Sequence, residues 1–301
     1  MRDAGPVTGV APGVERVLAP NASAWTARGT NTYLLDGAGV LVVDPGPDDV
    51  RHLRAVLEAL RGRRAGGILV THSHLDHSGL APRLRAATAA PVLAWGNSWA
   101  GTRPVEGDVG GGEGVDRGFA PDRLVMDGER LERWGVRVIH APGHMGNHVC
   151  LDRGDVLLSG DQAMGWATSV VSPPEGDMGD YVASLRRLVA LGPRVLLPGH
   201  GEPVDDGAER LRALLAHRRD REAEVLAELA RGPASASAIA ARLYAGLPPP
   251  LLRAAERNAL AHLIDLDRRG VAVATRPLRA DSAFRLREPP DTPLDTPGPG
   301  R

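Results

Sequence analysis

The stretch LVTHSHLDHSGL, residues 69–80, crowds His72, His74, Asp76 and His77 into six positions. It follows an apolar run, Gly67-Ile68-Leu69-Val70. An apolar run that stops at a polar cluster reads as a buried strand ending in a loop. Three imidazoles and a carboxylate there would repel one another if protonated and lose solvation if buried. A divalent cation removes both problems, because neutral imidazole nitrogen and carboxylate oxygen are its preferred ligands. Whatever the chain folds into must therefore bring further ligands to this strand end.

Further candidates lie at similar places. Residues 136–139 read as a strand, followed by Ala141-Pro142-Gly143-His144-Met145-Gly146-Asn147-His148. Another strand ends at Ser159-Gly160-Asp161, and Val195-Leu196-Leu197 ends at Pro198-Gly199-His200-Gly201. Sheets that fix backbone positions while end loops present ligands are a standard way to build a metal site. A two-metal centre needs about seven or eight ligands. His72, His74 and His144 would serve one ion, and Asp76, His77 and His200 the other. Asp161 would bridge, and a hydroxide would fit between ions about 3.5–4 Å apart. Asp76 would also act in catalysis, orienting the nucleophile or shuttling its proton. Zinc suits these donors, with iron or manganese as alternatives. Tyr181 and Thr168 are candidates for touching substrate, with packing or capping the alternative for each.

The remaining pattern supplies the frame. Residues 32–35 and 40–43 read as a hairpin, and residues 49–60 as a helix with Val50, Leu53, Leu57 and Leu60 on one face. Residues 101–120 contain Gly110-Gly111-Gly112 and lack periodicity, so a mobile surface loop is expected, placed to cover the site. No Lys-Ser/Thr follows to make it a phosphate cradle. After residue 208 come three helical stretches and a small hairpin, a winged-helix pattern over 209–288. A Pro-rich tail, 289–301, is expected to be disordered.

Together these motifs resemble the metallo-β-lactamase-fold hydrolases. Thr71-His72-Ser73-His74-Leu75-Asp76-His77 is similar to that family's signature, and the motifs ending at His144, Asp161 and His200 to its remaining ligand motifs, in the same order. The likeness covers roughly residues 14–206. It implies an α+β, four-layer αββα sandwich with the site at one edge, residues 1–208 being catalytic. It also implies that His144 is the ligand, with His148 behind it or in the substrate pocket. Leu215-Ala216-His217-Arg218-Arg219-Asp220-Arg221-Glu222 and the winged-helix pattern resemble the lactamase-beta-2-like branch, as do Gly29-Thr30-Asn31-Thr32-Tyr33 and Asp44-Pro45-Gly46-Pro47. That branch includes a single-strand-specific endoribonuclease and thioesterases releasing polyketide acids from carrier proteins.

The resemblance and the ligand set lead to a dinuclear metal-dependent hydrolase, acting on a small-molecule or carrier-bound acyl thioester or other ester. A single-stranded-RNA endonuclease is the alternative, and a nucleic-acid-binding regulator a more distant one. Residues 209–288 hold 15 Arg against 10 Asp plus Glu. That excess is modest for nucleic-acid binding, and Tyr244 and Phe284 are the only aromatics there to stack on bases. The single cysteine, Cys150, precludes an intrachain disulfide and reads as a core residue. No stretch has the roughly 18 apolar residues of a membrane span. The first twenty residues lack a signal-peptide core, so the cytoplasm is the expected compartment and antibiotic hydrolysis is not expected. The sequence is silent on oligomeric state.

Overall fold

A computed structural model describes residues 7–287; the tail at 289–301 lies outside them. The first sheet holds β1 (Thr8–Ala11), β2 (Val14–Leu18), β3 (Asn31–Leu35), β4 (Val40–Val43), β5 (Ala65–Leu69) and β6 (Val92–Ala94). β7 (Gly107–Asp108) leaves this sheet, and β8 (Arg123–Leu124) returns to its edge beside β6. β1 to β4 run antiparallel to their neighbours, whereas β4, β5, β6 and β8 pair in parallel. The second sheet runs β13 (Val195–Pro198), β12 (Val156–Gly160), β11 (Val149–Arg153), β10 (Val136–His140) and β9 (Arg130–Leu131). Only β12 and β13 are parallel there.

Alternation of side chains sorts each strand into two faces. Tyr33, Leu35, Leu41, Val43 and Leu69 meet Val138, Val149, Leu151 and Leu158 between the sheets. Leu34, Val40, Val42 and Ile68 face outward under α1 (Val50–Leu60) and α3 (Ala81–Thr88). Ile139, Cys150, Leu157 and Leu196 face the other way, under α4 (Met178–Leu191) and α5 (Gly207–Ala230). This is the expected αββα sandwich. Cys150 is fully buried, and burial pushes its thiol up, as a core residue should behave.

α1 is capped by the Asp49 side chain, which accepts from Arg51 N. It faces the core much as expected, except at Val50. The buried positions are His52, Val56, Ala59 and Leu60, while Val50 is exposed. Leu53 and Leu57 are partly buried against the same core, and His52 is buried beside them, its Nε2 meeting Thr32 Oγ1 at 2.7 Å.

α5, α6 (Ala236–Leu243) and α7 (Pro249–Arg268) enclose Val225, Leu229, Ile239, Leu260, Leu263 and Ile264. The ladder of β14 (Ala272–Ala274) with β16 (Phe284–Leu286) completes the winged-helix form, and β15 (Leu278–Arg279) lies between them in sequence. Residues 101–120 are not a free surface loop. β7 pairs with β15, Val109 is buried in the helical core, and Asp116 N donates to the Ser73 carbonyl. The segment is a strap between the two halves, held by backbone bonds that no side-chain pattern announces.

Candidate metal centre

The ligand candidates come together where the strands end. His72 and His74 follow β5, and Asp76 and His77 occupy the single-turn α2 (Leu75–Ser78). His144 lies in the β10–β11 connection, Asp161 directly after β12, and His200 just after β13. Three groups of donor atoms lie within 4.8 Å of one another: His72, His74, His144; His72, His77, Asp161; and Asp76, His77, His200. His72 Nε2 and His144 Nε2 stand 3.0 and 3.1 Å from His74 Nδ1. His77 Nε2 and His200 Nε2 are 3.2 Å apart, and His200 Nε2 is 3.2 Å from Asp76 Oδ2. Asp161 reaches both groups, with Oδ1 at 3.5 Å from His77 Nε2 and Oδ2 at 3.8 Å from His144 Nε2.

The surroundings decide which nitrogen of each ring carries its proton. Thr71 Oγ1 donates to Asp44 Oδ2, so it accepts from His72 Nδ1 at 3.1 Å. His77 Nδ1 donates to Asp44 Oδ2 at 2.9 Å. His144 Nδ1 donates to the Val170 carbonyl at 2.7 Å, and His200 Nδ1 to the Gly29 carbonyl at 3.4 Å. Each of these four rings, when neutral, thus turns a bare Nε2 to the centre. His77 Nε2 and His200 Nε2, 3.2 Å apart, cannot hydrogen-bond to one another as bare nitrogens, but they can share a cation. Asp161 Oδ1 is buried and makes no hydrogen bond, an arrangement that a cation would also satisfy. The donor set therefore fits a pair of divalent ions.

Burial lowers the pKa of His72, His74 and His144, and the neighbouring imidazoles add to this at His72 and His74; His74 falls to about 3. Burial opposes protonation of His77 and His200 too, but there it loses. Asp76, Asp161 and Asp44 raise His77 well above its ordinary value, and Asp161 and Asp76 raise His200 to about 9. Burial would raise the two acids, yet His77 and His200 hold both carboxyls well below the usual range. In the metal-free protein, protons on His77 and His200 supply the positive charge that these carboxylates need.

Glycine makes the close approach possible. A Cβ on Gly199 would collide with Asp161 Oδ1 and sit 2.7 Å from His77 Cε1.

His148 is buried behind the cluster, its ring stacked on His72 at 5.0 Å. Its Nε2 accepts the backbone N–H of Asp161, so it positions that carboxylate and does not join the ligands. Thr168 lines the cavity above the centre. Tyr181 does not: it is fully buried, and its hydroxyl donates to the Gln162 carbonyl. An aromatic residue in the first turns of an amphipathic helix belongs to the core here.

Asp44 is the participant that sequence reasoning missed. It is 2% exposed, takes a positive φ of 52°, and accepts from Thr71 N, Thr71 Oγ1 and His77 Nδ1. The signal was an acid at the end of a wholly apolar strand, masked by the turn-like Pro45-Gly46-Pro47. Asn258 and Arg218, on α7 and α5, were missed as well. Asn258 Oδ1 accepts from Val171 N, and Arg218 donates to the Ser169 carbonyl, so both fasten the loop that carries Val170.

The centre floors a cavity of about 930 Å³. His74, Asp76, His144, Asp161 and His200 line one side, and half-exposed Trp25 and Trp166 also line it. The opposite wall, from α5 to α7, carries Val225, Leu243, Tyr244, Leu247 and Leu251. Gly112, Glu113, Gly114 and Val115 of the strap contribute as well.

A four-layer sandwich with this donor set at one edge defines a metallohydrolase. The chain belongs to the metallo-beta-lactamase superfamily, whose pattern matches residues 25–200; residues 235–277 match the beta-lactamase associated winged helix domain. The beta-lactamase-like protein 2 homolog of Drosophila melanogaster is 31% identical, over 94% of this chain and 97% of its own length. The atrochrysone carboxyl ACP thioesterase of Aspergillus fumigatus is also 31% identical, over 73% of this chain and 66% of its own. Among solved structures, a metallo-beta-lactamase family protein from Thermus thermophilus aligns with a TM-score of 0.73 at 27% identity. That alignment covers 92% of this chain and 99% of the other. Among the described residues no helix is long and apolar enough to cross a membrane.

Proposed function

We propose that this hydrolase is dinuclear and cleaves thioesters, or other carboxylic esters, of small or carrier-bound acyl groups. The observation that carries the reading is the convergence of imidazole nitrogens, four of them free to bind a cation when their rings are neutral, and two carboxylates on the floor of a cavity with mostly apolar walls. Two divalent ions, zinc by donor type with iron or manganese as alternatives, would supply a hydroxide at neutral pH and polarise the substrate carbonyl. His72, His74 and His144 would hold one ion and Asp76, His77 and His200 the other, with Asp161 spanning both. Asp76, partly open to the cavity, would orient the nucleophile or shuttle its proton. The apolar wall accommodates the acyl group. A relative named as an acyl-carrier-protein thioesterase supports this class of substrate.

The test is a hydrolysis panel on the metal-loaded chain, setting acyl thioesters beside a lactone and a single-stranded RNA. Thioester turnover that disappears in His72→Ala and His74→Ala together with bound metal is the expected result. RNA cleavage without thioester turnover would replace this reading with the endonuclease alternative.

A further inference from the structure

The α5–α7 wall of the cavity holds polar groups that the hydrolytic centre does not use. Arg218 is only 2% exposed, and among the described residues it has no carboxylate partner. Its contacts are neutral: the Ser169 carbonyl, Asn258 Oδ1 at 3.2 Å and the face of Tyr181. Its Nε–H has no acceptor. His262, equally buried, has no partner for either ring nitrogen. His217 Nδ1 and Arg221 Nε are unpartnered too. All four residues line the cavity. Burial first, then the charges of Arg218, Arg269, His217 and Arg221, hold His262 neutral with a pKa near 3. It can therefore both donate and accept.

The acids do not cancel this patch. Glu113, Glu175 and Glu256, also on the cavity wall, act on Arg257. Glu224 pairs at 2.7 Å with Nη2 of Arg221, leaving Nε of Arg221 free, and Asp220 is an exposed neighbour of His217. A buried guanidinium without a counter-ion beside an unpaired imidazole is an unfavourable arrangement that a bound oxyanion would relieve.

We infer that Arg218, Arg221, His217 and His262 form a subsite for a carboxylate or phosphate of the substrate, separate from the group that is cleaved. The inference rests on the thioester reading and narrows it to substrates carrying a second, anionic group. That group can belong to the acyl chain, as a distal carboxylate, or to the thiol side, as a phosphate.

Two measurements on the full, metal-loaded chain test this. The first is calorimetric binding of glutarate and of inorganic phosphate at fixed ionic strength. Saturable binding of at least one is expected, weakened about tenfold or more in His262→Leu and in Arg221→Gln, as charge-assisted bonds require. Arg219→Gln, exposed on the same helix outside the cavity, should bind as the parent does. The second compares kcat/KM for the glutaryl thioester of N-acetylcysteamine against the same thioester with its distal carboxylate capped as the methyl ester, and for butyryl-pantetheine with and without its 4′-phosphate. An advantage of about tenfold for the anionic member of one pair, lost in both variants, identifies the source. No saturable binding of either anion, binding unchanged in both variants, or equal rates within both pairs overturns the subsite. If no thioester is hydrolysed, the proposed function fails, and the binding measurement still decides the subsite.

Discussion

Asp44 bonds both to Thr71, which steadies His72, and to His77, so it orients a ligand in each group. Asp44→Asn keeps the shape but offers His77 Nδ1 a donor where it had an acceptor. The His77 proton is then driven to Nε2, the atom turned to the metal. Metal affinity should fall about 10–100-fold, measured by competition with a chromophoric chelator, while the fold persists. Protonation gives a second prediction. His200 titrates near 9 in the folded, metal-free chain, above the ~6.5 of an unfolded one. Its contribution to the stability of that form is complete below about pH 6.5 and is lost as pH rises through about 9. A cation must displace the protons on His77 and His200, so binding near pH 7.5 should release protons and tighten as pH rises. Calorimetry in buffers of different ionisation enthalpy measures the release, and a buffer-independent heat would contradict it. At this scale the sequence was informative where residue type alone limits chemistry, as in the His-rich run. It was uninformative where a residue acts through its partners, as Asp44, Asn258 and Arg218 do.

α7 governs the centre without supplying a ligand. Asn258 accepts from Val171 N and from Arg218, and the adjacent Val170 carbonyl accepts from His144 Nδ1. Asn258→Leu removes one polar anchor from each and costs about 1–3 kcal/mol locally. Metal analysis should show partial loss at the His72, His74 and His144 group with unchanged circular dichroism; full occupancy would show that the loop holds itself. Strand periodicity was legible because it follows from alternating faces. The stripe of α1 was legible too, apart from exposed Val50; the burial of His52 was not, because it depends on a partner, Thr32, on another element. The strap at 101–120 was hidden for a related reason: its tethers are largely backbone groups.

At the scale of the whole molecule, the ligands come from strands of both sheets, so ion binding clamps the sandwich along one edge. Ions at a hundredfold excess over Kd add about 2.7 kcal/mol. Chelation should therefore lower the unfolding temperature by several degrees, and a chelator-insensitive melt would mean the ions bind without stabilising the fold. The sequence located the edge because its motifs share one order and one position, the strand terminus. The partition between sandwich and helical part leaves a mark on the cavity as well. The β7–β15 ladder ties the strap, including residues 112–115, to the terminal wing. A shift of the wing must tug that lip of the mouth. On the proposed thioester reading, chain-length preference can accordingly drift through substitutions in the wing, far from any histidine, and directed evolution of acyl scope has a place to begin there.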